Sequence, residues 1–187
     1  MLLGFSLLYV GAVLFLNGLW LLGQISDREI AVINIFVGGI TLCIALYLAF
    51  GPSADAASIK GAAFLLMFTF TYLWVAINRF SGADGRGLGW FSLFVAITAC
   101  PIAADTLSTA NSLWDYWFGL CWVGWAVLWF MYFLLLAQKL KIAKITGLVT
   151  ALEGIATGWL SGYLLLNGII GHASHTVRAA TAAAGGG

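Results

Sequence analysis

A chain of 187 residues that is 63% hydrophobic and only 8% charged lacks the polar surface of a water-soluble domain, which typically carries about 25% charged residues. A mean hydropathy of +1.03 points instead to lipid as the solvent. The net charge of +1 excludes the broad electrostatic attraction of a nucleic-acid-binding protein, and three cysteines without C-x-x-C spacing exclude a disulfide framework and a zinc site.

A bilayer span needs about 20 mostly apolar residues, and short polar breaks divide the chain into six such stretches. The first, 2–23, lacks a basic leader and a small-residue cleavage site, so it reads as a retained helix and not a signal peptide. Leu7, Val10, Leu14 and Asn17 share one of its faces. After QISDRE comes the second span, 30–50, and after GPSADAAS the third, 59–78, where Phe68 and Tyr72 share a face and Asn78 stands near the end. RFSGADGRG leads to the fourth span, 88–107, and DTLSTANS to the fifth, 113–137. In the fifth, Trp122, Trp125, Trp129 and Tyr132 fall on one helical face. Trp125 and Trp129 lie near mid-span, where an interfacial aromatic belt does not account for them.

QKLKIAK precedes the sixth span, 145–170. Glu153 is the one acidic residue well inside a span, since the others lie in or next to breaks, and no basic residue lies at its depth. A charge at that depth costs about 2.5–3.5 kcal/mol, so Glu153 is expected to face a polar cavity or to be held neutral; a carboxyl bonded to a neighbouring helix is the bland alternative. Gly147, Thr150, Gly154, Thr157, Gly158, Ser161 and Gly162 form a stripe beside it. That stripe fits either the wall of such a cavity or close helix packing. No helix is plainly broken at mid-span.

The fold expected is therefore all-α: a six-helix transmembrane domain over 1–171, followed by a low-complexity, disordered tail over 172–187. Short breaks make successive helices antiparallel neighbours. The first, third and fifth breaks hold Arg28, Arg79, Arg86, Lys139, Lys141 and Lys144, against Lys60 and Arg178 elsewhere. The positive-inside rule then puts both termini on the outer side of the membrane. Apolar and aromatic walls with a few polar groups suit a small, flat, neutral solute that forms hydrogen bonds, and they resist hydrated ions. The spans hold no nucleophile–base pair or metal cluster, so the sequence predicts no enzyme, no cofactor and no metal site.

At these residues the sequence resembles the AmiS/UreI family of urea and short-chain amide channels. The stretches that carry the resemblance are LLYVGAVLFLNG (7–18), NIFVGG (34–39), FTFTYLWVAIN (68–78), WFSLFVAI (90–97), WVGWAVLW (122–129) and ALEGIATGW (151–159). The resemblance implies a pore through each six-helix protomer, a homo-hexameric ring in the lipid of a bacterial inner membrane, and passive conduction of urea or small aliphatic amides. It also implies pore-lining roles for Leu7, Val10, Leu14, Asn17, Phe68, Tyr72, Trp125, Leu128, Trp129 and Glu153, with Leu128 contributed by the resemblance alone. Acid-gated members carry long, histidine-rich outer loops. Here those loops are short and contain no histidine, and His172 and His175 lie in the tail, so a channel without acid gating is expected. The competing expectation is a proton-coupled transporter that uses Glu153 as its proton carrier.

Overall fold

A computed structural model describes residues 1–170 of the chain. The tail expected over 172–187 lies outside the described residues. Six helices among those described are long and apolar enough to cross a bilayer. They are α1 (Leu2–Leu21), α2 (Asp27–Phe50), α3 (Ala56–Ser81), α4 (Arg86–Ser108), α5 (Leu113–Leu136) and α6 (Ala143–Leu166).

The polar breaks supply the helix starts. The Ser26 hydroxyl accepts the Glu29 N–H at the head of α2, and the Ser112 hydroxyl accepts the Asp115 N–H at the head of α5. At the head of α3, Asp55 accepts the Ser58 N–H at 2.7 Å, and Ser58 accepts the Asp55 N–H at 2.8 Å. This reciprocal pair satisfies donors that a helix terminus leaves open, and it starts α3 three residues earlier than its apolar run.

Packing runs round a closed ring: α1 touches α2, α2 touches α3, and so on until α6 returns to α1. The α1/α2, α3/α4 and α5/α6 contacts are sparser than the other three. Partner residues show that the closest pairs run antiparallel. Gly4 of α1 meets Gly162 and Leu165 of α6, while Gly18 meets Gly147 and Ala151. Thr69 of α3 donates to Thr41 of α2 at 2.9 Å, while Gly38 packs on Leu73.

Helix α6 is not uniform. Between α-helical stretches at Ala143–Glu153 and Ser161–Leu166, residues Gly154–Leu160 wind as a π-helix, whose wider turns carry i→i+5 hydrogen bonds. Helix α6 thus runs unbroken over Ala143–Leu166 but changes its winding directly after Glu153. The α1 glycines lie against this segment. A Cβ on Gly158 would come 2.5 Å from the Gly11 nitrogen, and one on Gly154 2.5 Å from the Phe15 nitrogen. Backbones this close leave room only for hydrogen at these positions.

Candidate functional site: an axial series of cavities

Inside the ring, three cavities follow one another from the N-terminal face to the opposite face. The upper one, about 370 Å³, is bordered by Leu2, Leu7 and Val10 of α1, Phe64 and Phe68 of α3, and Trp122 and Trp125 of α5. The central one, about 30 Å³, is bordered by Leu14, Asn17, Tyr72, Leu128 and Trp129, and shares Phe68 and Trp125 with the upper one. The lowest, about 20 Å³, is bordered by Asn78, Arg79, Gly85 and Leu136, and shares Trp20, Val75, Leu88 and Tyr132 with the central one.

The partition between upper and central cavities is aromatic. The Phe68 ring reaches across from α3, its centroid 5.0 Å from that of Trp125 and 4.7 Å from that of Trp129, both edge-on. Edge-to-face contacts of this kind contribute about 0.5–1.5 kcal/mol each beyond the area they bury. The tryptophan N–H groups do not compete for a solute, because each is already engaged. Trp125 Nε1 donates to Thr157 Oγ1 at 2.9 Å and Trp129 Nε1 to Thr71 Oγ1 at 3.3 Å. The partition thus presents ring faces and aliphatic carbon.

Polar groups are sparse and placed apart. Asn17 and Asn34 exchange side-chain hydrogen bonds at 2.7 and 3.2 Å, fixing the Asn17 amide at the central wall. Tyr72 is 1% exposed, and its hydroxyl has no partner among the described residues. A buried hydroxyl left unpaired costs about 1–3 kcal/mol, which a guest in the cavity beside it would recover. At the lower end, Trp20 Nε1 donates to Asp27 at 2.7 Å. Arg79 pairs with Asp27 at 3.4 Å, and its guanidinium carbon stands 5.1 Å from the Trp20 ring centroid.

Nine of the ten residues singled out in the sequence border the upper or central cavity: Leu7, Val10, Leu14, Asn17, Phe68, Tyr72, Trp125, Leu128 and Trp129. Glu153 does not. It is half-buried in the α5/α6 seam, and its carboxyl occupies the notch left by the missing side chain of Gly124, where a Cβ would come 3.2 Å from Oε1. The other carboxyl oxygen has no partner among the described residues. Glu153 therefore sits at a helix–helix seam and borders none of the three cavities described.

The α6 stripe is used up in the same way. Its glycines lie on α1, Thr157 and Ser161 take hydrogen bonds from Trp125 and Trp117 of α5, and Thr150 shares one with Tyr132. Sequence reasoning missed Leu88 and Ser92 of α4, which face the central cavity, and Trp20 and Thr71. The only sign for the α4 pair was their i, i+4 spacing. Tyr132 belonged to the fifth-span stripe but was not carried forward as a lining residue.

A family model described as AmiS/UreI family transporter matches residues 2–169 of the chain. The chain is 46% identical over 166 residues to a protein of Mycolicibacterium smegmatis named for the transport of amidate substrates, covering 88% of this chain and 76% of that one. It is 35% identical to the acid-activated urea channel of Helicobacter pylori strain J99, covering 87% of this chain and 96% of the relative. Among solved structures, the closed-state Helicobacter pylori urea channel superposes with a TM-score of 0.77 at 37% identity, covering 89% of this chain and 97% of that one.

Proposed function

The chain belongs to the AmiS/UreI family of transporters, and from that premise we propose that it is a passive channel for urea or short-chain aliphatic amides, open without acid gating. One observation carries this reading: cavities in series along the axis of a closed ring, with aromatic and aliphatic walls and the unpartnered Tyr72 hydroxyl midway. Such a path favours a flat neutral solute. Ring faces flank the plane of an amide, and Tyr72 and Asn17 exchange hydrogen bonds with its carbonyl and N–H groups. A hydrated ion would lose its water against carbon and gain little in return. We assign the lining to Leu7, Val10, Leu14, Asn17, Phe68, Tyr72, Trp125, Leu128 and Trp129.

The remaining proposals concern placement and assembly. The basic residues of the α1–α2, α3–α4 and α5–α6 breaks support both termini lying outside a bacterial inner membrane. The homo-hexameric ring rests on the family resemblance, and native mass spectrometry in lipid tests it. The second reading, a proton-coupled transporter, draws on the unpartnered Glu153 oxygen. The position of that carboxyl away from all three cavities weighs against it. The channel reading is tested by stopped-flow swelling of proteoliposomes with urea, formamide and acetamide. Rates above those of protein-free vesicles for at least one of the three are expected, and rates equal to protein-free vesicles for all of them would refute the channel.

A further inference from the structure

We propose that Asn78 and Arg79 form a second solute subsite at the end of the passage opposite the N-terminus, one that takes the carbonyl oxygen of the solute; this rests on the reading of the passage as an amide or urea channel. One buried group with nothing to bind and an amide beside it carry the proposal. Arg79 Nε is buried and lacks a partner among the described residues, while the rest of the guanidinium is held by Asp27 and the Trp20 ring. Asn78, only 4% exposed, borders the same lowest cavity.

A buried guanidinium N–H without a partner is uncommon in folded proteins, because it carries the full cost of lost hydration. Both border the same small cavity, and both can donate. A carbonyl oxygen is the solute atom that can accept from two donors at once. Gly85 borders the same cavity, and its φ of +82° suits glycine. The passage then has two polar stations separated by apolar wall. The Tyr72 hydroxyl serves the centre, and Asn78 with Arg79 receives the solute where it leaves for water.

The test compares urea with thiourea, which keeps the planar shape and the N–H groups but replaces the strong oxygen acceptor with a weak sulfur one. Permeabilities are measured in proteoliposomes for the wild type, Asn78→Leu and Arg79→Lys. The lysine retains a cation beside Asp27 and Trp20 but removes Nε. In both variants the urea-to-thiourea permeability ratio is expected to fall about fivefold, the factor that matches one ordinary hydrogen bond. An unchanged ratio in two assembled variants overturns the subsite and leaves the channel standing. Should neither variant assemble, the wild-type ratio decides, and a value near unity overturns the subsite. Failure of both solutes to cross the wild type, with formamide and acetamide also excluded, refutes the channel reading itself.

Discussion

Trp125 donates its indole N–H to the hydroxyl of Thr157 at 2.9 Å, across the seam between α5 and α6. Thr157 lies within the π-helical stretch and donates in turn to the Glu153 carbonyl at 2.7 Å. The wall ring that separates the upper and central cavities is thereby fixed by the widened turn of a neighbouring helix. Replacing Thr157 with the isosteric valine strands a buried N–H at a cost of about 1–3 kcal/mol. Thr157→Val is expected to melt well below the wild type in detergent, and Thr157→Ser to stay close to it. Equal melting of the two variants would show that the bond contributes little.

Phe68 sets the width of the partition. Phe68→Leu removes the ring that meets Trp125 and Trp129 and leaves an aliphatic stub. Apolar constrictions discriminate a solute methylene by about tenfold or more. The permeability of butyramide relative to formamide is therefore expected to rise by about that factor. An unchanged ratio in a well-assembled variant would place the selective narrowing elsewhere.

Glu153 borders none of the three axial cavities, and its isostere should reflect that. Glu153→Gln preserves the shape that fills the Gly124 notch. It is expected to assemble normally by size-exclusion chromatography and to conduct urea within about twofold of the wild type, the scale of a change that leaves transition-state contacts intact. Loss of nearly all flux in an assembled Glu153→Gln would return the carboxyl to the conduction path and revive the proton-coupled reading.

The pH response follows from the exposed carboxylates at the helix ends. The Ser58 backbone N–H, helped by its hydroxyl, holds the Asp55 carboxyl below the usual carboxylate range, and the Arg86 backbone N–H and side chain do the same for Asp84. A depressed carboxyl stabilises the fold above its unfolded pKa of about 4, and that contribution fades only as pH falls through the lower folded value. Neither group titrates near neutrality, and the α2–α3 and α4–α5 breaks carry no histidine. Urea permeability is expected to stay flat between about pH 5 and 7.5, the range in which histidine changes charge. A steep rise on acidification that survives deletion of residues 172–187 would contradict this.

Much of this architecture was legible because lipid imposes few choices. Six apolar runs of spanning length become six helices, and the Ser and Asp residues of the breaks become their caps. The aromatic stripe on α5 was legible because Trp125 and Trp129 have no belt role at mid-span. Helix α6 was not, since small residues at three- and four-residue steps look alike whether they line a cavity or seat a neighbour. The deciding clue lay in another helix: Gly4, Gly11 and Gly18 recur every seven residues in α1 and mark the face on which α6 packs. Once the glycines face α1 and the hydroxyls face α5, Glu153 is carried into the seam. The π-helical winding was illegible because nothing in the residue pattern of 154–160 marks a change of turn width.

The most direct measurement of the central claim is radiolabelled urea or acetamide uptake into proteoliposomes with an imposed proton gradient, compared with the same vesicles after the gradient is collapsed. A passive channel equalises the solute at the same rate in both and never carries it beyond the external concentration. Accumulation above that concentration, abolished when the proton gradient is removed, would contradict the account.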